Sequence, residues 1–177
     1  MTVKAHELRE LVCFRLNGGL YAVDISMVRE IVRLQQMTRV PKSPSHVLGV
    51  TNLRGHVIPV VDLRLRLGMA PREHGAQSRI LVVELGTDSV GFAVDEVSGI
   101  VRLPWDVIDP VKDLGALKGS ELMSGVARHG DELICLLNLL ESAGESSLLE
   151  PLPVVPEWQE VAPSVDPPRA RSLKKAA

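Results

Sequence analysis

The chain has 177 residues, with 20 Lys and Arg against 22 Asp and Glu for a formal charge of -2, and 45% of it is hydrophobic. That composition excludes wholesale disorder, and near-neutral charge with 3% aromatics removes the basic field and the stacking platforms that nucleic-acid binders use. The opening Met1-Thr-Val-Lys-Ala-His-Glu-Leu-Arg-Glu10 is charged where a secretory signal needs an apolar run, and no apolar stretch approaches the ~20 residues of a membrane span. The expectation is a cytoplasmic protein without membrane insertion, in which Cys13 and Cys135, each inside an apolar run, are buried reduced thiols.

Leu11-Val-Cys-Phe-Arg-Leu16, Asn17-Gly-Gly19 and Leu20-Tyr-Ala-Val-Asp24 predict a β-hairpin about an Asn-Gly turn. Ser26 to Leu34 fits neither the helical nor the strand period cleanly and predicts a short helical turn feeding a strand. Two prolines in Thr38-Arg-Val-Pro-Lys-Ser-Pro-Ser45 exclude regular structure there, whereas Val50 to Leu53 and His56 to Leu63 predict a second strand pair pivoting on Gly55. Gly68 to Ser78 is polar and contains Gly and Pro, as an exposed linker does.

The pattern then recurs. Leu11 to Leu16, Ala22-Val-Asp24 and Ile31-Val-Arg-Leu34 return as Ile80-Leu-Val-Val-Glu-Leu85, Ala93-Val-Asp95 and Ile100-Val-Arg-Leu103, and Gly49 to Leu63 aligns without a gap on Gly125 to Leu139. Five short strands in each half predict an all-β fold of two small five-stranded barrels, about residues 8–70 and 78–143. Each is too small for an ample core alone, so the two are expected to pack on a shared one as a single domain over 1–145, with exchange of strands between them left open. Residues 146–177 carry Pro151, Pro153, Pro156, Pro163, Pro167 and Pro168 and predict an extended or disordered tail. Its basic end, Arg169-Ala-Arg-Ser-Leu-Lys-Lys175, could touch an acidic partner or membrane surface, but a short charged terminus is more often simply solvated.

Enzymatic signatures fail in turn. No histidine pair stands at metal-ligand spacing, no phosphate loop is complete, and Ser124 has Leu122 where a nucleophile elbow needs glycine. Neither metal, cofactor nor catalytic residue is therefore expected. Asp24, Asp62 and Asp95 follow apolar strands, and their recurrence suits turn and cap residues, which every copy of a fold needs, better than a general base, which one site needs once. Positions that differ between the copies are freer to serve a partner. Arg54 aligns with Gly130, and Glu30 with Gly99. The Arg54 fork could grip carboxylate or carbonyl groups at an interface, or form a salt bridge within the chain; Glu30 could rim an apolar patch or be solvated.

Val28-Arg-Glu-Ile31, Val40-Pro41, Gly49-Val-Thr-Asn-Leu-Arg-Gly55, Val57-Ile-Pro-Val-Val-Asp-Leu63, Val90-Gly-Phe-Ala-Val-Asp-Glu-Val97 and Leu122-Met-Ser-Gly-Val126 closely resemble the CheW family of bacterial chemotaxis coupling proteins, over roughly residues 8 to 143. The resemblance implies a non-enzymatic adaptor of two SH3-like barrels that joins the cytoplasmic tip of chemoreceptors to the regulatory domain of the histidine kinase CheA within membrane-associated arrays, with other CheW-like proteins as further partners. It implies a receptor-tip helix in an apolar groove between the barrels, at Val28, Glu30, Ile31 and Arg54, and kinase contacts at a barrel end, near Gly49, Asn52, Gly55, Ile58 and Pro59. Two other readings stay open: a specialised paralogue that binds only receptor or only kinase, and a β-barrel enzyme that uses its aspartates.

Overall fold

Asn17 and Gly18 take φ of 48° and 86°, the left-handed pair of a type I′ turn, and fold β1 (Leu8–Leu16) onto β2 (Gly19–Asp24) with Leu16 opposite Gly19. The Asp24 carboxylate accepts from the Ser26 amide at 3.0 Å and caps a single 3-10 turn, Ile25–Met27, from which the chain enters β3 (Val28–Arg33). Next come β4 (Val47–Leu53), β5 (His56–Asp62) and the one-turn α1 (Leu63–Arg66), capped by Asp62. The second half supplies β6 (Arg79–Leu85), β7 (Asp88–Val94), β8 (Glu96–Pro104), a 3-10 turn at Trp105–Val107, β9 (Ile108–Pro110), β10 (Met123–His129) and β11 (Glu132–Leu137). In this computed structural model, residues 8–111 and 120–139 are described, so the Pro-rich tail and its basic end lie outside the described residues.

The fold is all-β, in two mixed sheets ordered β8-β1-β2-β11-β10-β9 and β3-β6-β7-β5-β4. Neither sheet is built from one half of the sequence. Each takes the hairpin of one copy (β1-β2 or β6-β7) and sets it against strands of the other, through a parallel contact, β2 with β11 and β7 with β5. The chain crosses between sheets as it enters β3 and β8, which pair antiparallel with β6 and β1. The first sheet exceeds the expected five strands by β9, whose place beside β10 is matched in the other sheet only by a bridge from Thr38 to Val50.

Strand alternation turns this exchange into three apolar layers. Val12, Phe14 and Leu16 of β1 meet Leu81, Val83 and Leu85 of β6 and Phe92 of β7 in a core shared by both sheets. The intervening Leu11 and Cys13 face the interior of the first barrel with Ile134 and Leu136, while Ile80 and Val82 face that of the second with Ile58 and Val60. Burial on both faces explains why the central strands read as near-continuous apolar runs. Each fully buried Leu, Val or Phe contributes about 1.5–3 kcal/mol.

One wholly buried cation joins the copies. The Arg64 guanidinium donates to the Asp62 carboxylate at 2.8 Å, to the Arg72 carbonyl in the linker at 2.8 Å, and lies 2.9 Å from Asp95 of the second half. Asp95 also accepts from the Asn17 amide at 2.7 Å, which ties the β1–β2 turn to the same cluster.

Candidate partner-binding surfaces

At the tip of the β4–β5 hairpin, Leu53 stands opposite His56, leaving Arg54 and Gly55 at the turn with φ of 52° and 88°. The Asn52 side-chain oxygen accepts from the Gly55 amide at 2.9 Å and locks the turn. The equivalent position of the second copy is Gly130, at φ 60°. The same left-handed backbone is thus occupied by glycine in one copy and by arginine in the other, where holding it costs about 1 kcal/mol or more. The guanidinium reaches Glu30 on β3, with nitrogen and oxygen 2.9 Å apart, yet the Arg54 side chain is 78% exposed. An ion pair so wetted returns about 0–1 kcal/mol, so the arrangement brings the fold no net stability. Arg54 thus forms a salt bridge within the chain and leaves most of its side chain exposed to solvent.

The residues implied for receptor contact divide between the two faces of β3. Val28 and Ile31 stand opposite Val83 and Leu81, on the face that looks toward the shared core, whereas Glu30 stands opposite Val82, on the barrel-interior face. The same shared layer surfaces along β8, where Val97 and Ile100 stand opposite Phe14 and Val12. Ile31 is 41% and Ile100 59% exposed, so both crossover strands carry an outward apolar residue at the same point of the repeat. Val97 and Ile100 were not among the expected residues. The alignment of Ile31 with Ile100 was the available signal, but a search restricted to differences between the copies passes over residues the copies share.

The residues implied for kinase contact also have mixed roles. Ile58 is buried, inside the second barrel with Val60, Ile80, Val82 and Ala93. Gly49 sits at a register shift, φ 145°, where a Cβ would come within 2.3 Å of the Thr38 carbonyl oxygen. Asn52 and Gly55 are exposed at the hairpin tip and Pro59 is half-buried opposite Val50. Beside them Val57, opposite Asn52, is 66% exposed, as is Leu133 (56%) at the matching point of β11. Neither was expected.

The three strand-end aspartates are engaged in structure. Asp24 accepts from the Ser26 amide and hydroxyl and pairs with Arg9 at 3.1 Å; Asp62 caps α1 and pairs with Arg64 and His74; Asp95 accepts from the Asn17 amide and forms an ion pair with Arg64. Burial alone would raise the Asp62 pKa, but hydrogen bonds from His74 and Arg64, with their charges, outweigh it and hold the carboxyl well below the usual carboxylate range. It is held ionised by its partners, which suits a structural anion and not a general base. Among the described residues no group of three or more His, Cys, Asp or Glu could hold a metal ion, and no helix is long and apolar enough to cross a membrane.

The family model of the CheW-like domain matches residues 10–144. The chain belongs to the CheW-like domain family. It is 37% identical over 131 residues to a probable chemotaxis protein CheW of Rhizobium etli, covering 74% of this chain and 84% of the relative. It is 32% identical over 154 residues to the protein FrzA of Myxococcus xanthus, covering 84% of this chain and 95% of that protein. Among solved structures, the scaffolding protein TtCheW of Thermoanaerobacter tengcongensis matches at 31% identity with a TM-score of 0.70, over 75% of this chain and 90% of that one.

Proposed function

We propose that this CheW-like protein is a non-enzymatic cytoplasmic adaptor that couples chemoreceptor tips to the regulatory domain of the histidine kinase CheA. The observation that carries the reading is Arg54: an exposed guanidinium in a left-handed backbone that its own repeat fills with glycine. A residue kept against backbone preference, without a compensating gain in stability, serves something outside the fold. A receptor-tip helix would lay its apolar face on Val28 and Ile31, with Arg54 and Glu30 supplying polar contacts at the adjoining end of the second barrel. The exposed side of the β4–β5 hairpin, with Asn52, Gly55, Val57 and Pro59, would take the kinase, while Gly49 and Ile58 shape that hairpin from within. Weak contacts become effective when receptor, adaptor and kinase are held in one array, and a change at the receptor tip shifts the kinase only as far as the two receptor states differ in contact free energy with the adaptor.

Arg54→Gly and Arg54→Glu test this reading in a reconstituted mixture of receptor, adaptor and kinase. Arg54→Gly is expected to leave thermal stability unchanged or slightly raised, by up to about 1 kcal/mol, and both variants are expected to lower receptor-dependent kinase activity at least tenfold, a loss of about 1.4 kcal/mol in coupling. Full receptor-dependent activity in both would remove Arg54 from the interface.

A further inference from the structure

The two crossover strands carry the same arginine in different company. Arg33 belongs to the Ile31-Val-Arg-Leu34 unit of β3 and Arg102 to the Ile100-Val-Arg-Leu103 unit of β8. Arg102 stands opposite Glu10 on β1, and the two form an ion pair with nitrogen and oxygen 2.6 Å apart. Arg33 stands opposite Arg79 on β6, the residue that aligns with Glu10 when Leu11 to Leu16 is laid on Ile80 to Leu85. The repeat thus fills one position with an acid in one half and a base in the other, and brings two arginine stems within about 5 Å of each other at Cβ. Like charges directly opposite on a sheet are destabilising, where the other half gains a favourable pair. Arg79 donates to the Ala76 and Ser78 carbonyl oxygens at 3.1 and 2.9 Å, and Arg33 is exposed. Among the described residues neither is paired with a carboxylate. The acids of these two strands are taken, Glu30 by Arg54 and Glu84 by Arg29. Arg33 lies two residues beyond Ile31 and Arg79 two before Leu81, so the cationic pair sits at the end of the apolar stripe and on its face.

We propose that Arg33 and Arg79 bind a carboxylate of the receptor-tip helix that lies on Val28 and Ile31; the inference rests on the receptor contact proposed above and specifies the charge that helix carries. Charge complementarity and continuity with the stripe select this occupant. The site lacks the anion that Glu10 supplies in the other half, and a helix packed along the stripe carries its side chains to the pair. Planar guanidinium forks favour a carboxylate, whose two oxygens each accept from them. The pair is therefore a specificity element: it favours a receptor helix with an acidic side chain at this point and repels one with a basic side chain there.

The test measures binding of a receptor-tip fragment and, separately, of the kinase regulatory domain to the full chain and to Arg33→Glu, with thermal unfolding of both chains. Arg33→Glu rebuilds between β3 and β6 the acid–base pair that Glu10 and Arg102 form, so its unfolding temperature is expected to equal or exceed that of the native chain. Its affinity for the receptor fragment is expected to fall at least about tenfold and to lose part of its salt dependence, with kinase-domain binding unchanged. Fragments in which each acidic residue in turn is exchanged for Lys should contain one that Arg33→Glu binds at least as well as the native chain does. Equal receptor binding by the two chains would overturn the inference and leave the receptor contact itself standing. Loss of kinase-domain binding in place of receptor binding would overturn it too, because the pair would then belong to another interface. A native chain that binds no receptor fragment would overturn the receptor contact and this inference with it.

Discussion

The guanidinium of Arg64 is fully buried, and the carboxylates of Asp62 and Asp95 and the His74 ring surround it. Removing one carboxylate of such a cluster leaves the buried guanidinium with Asp95 as its remaining counter-charge, a loss of up to about 3–5 kcal/mol. Asp62→Asn should therefore destabilise the protein by that order in urea unfolding. Because the folded pKa of Asp62 is depressed, its contribution is complete above the unfolded value of about 3.9 and is lost as pH falls toward the folded one. The stability gap between native protein and Asp62→Asn should thus be constant near neutrality and narrow below about pH 4; a gap independent of pH would show that the charge is not what the cluster holds. Asp62 could be read as a cap from its place after an apolar strand. Arg64 could not be singled out as its partner, since a charged residue in a polar-apolar alternation is ordinarily solvated and its burial also needs the Arg72 carbonyl and the second half's Asp95, which local pattern does not bring together.

At the scale of elements, two glycines show how the hairpins are fitted. A Cβ at Gly49 would meet the Thr38 carbonyl at 2.3 Å, and one at the matching Gly125 would meet Ile108 Cγ2 at 2.8 Å. The first clash is with backbone, at a positive φ; the second is a less severe one, with an Ile108 methyl and with the Asp109 carbonyl oxygen at 3.1 Å, at a φ that any residue adopts. Gly49→Ala should accordingly destabilise by about 2 kcal/mol or more and Gly125→Ala by less, measured as paired thermal or denaturant unfolding; equal losses would mean that the Thr38 bridge yields. The hairpins themselves were legible, since Asn17-Gly18 and Gly55 mark turns whatever the partner strand. Which edge each hairpin would join was not, because β1-β2 and β6-β7 carry the same alternation and local pattern cannot choose between pairing at home and pairing across the repeat.

At the scale of the molecule, that exchange makes the shared core the centre of the fold and brings its apolar layer to the surface along β3 and β8. The repeat made the two-barrel architecture readable, and the contrast between Arg54 and Gly130 drew attention to the hairpin tip. The separation of Glu30 from Ile31 across β3, and the matching exposure of Ile100, required the pairing register. The most direct measurement of the account is sedimentation velocity of this protein with a receptor-tip fragment, with the kinase regulatory domain, and with both. The account predicts two binary complexes and a ternary species, with Arg54→Glu losing the receptor-containing ones. A protein that binds one partner alone, or whose two partners displace each other, would contradict it.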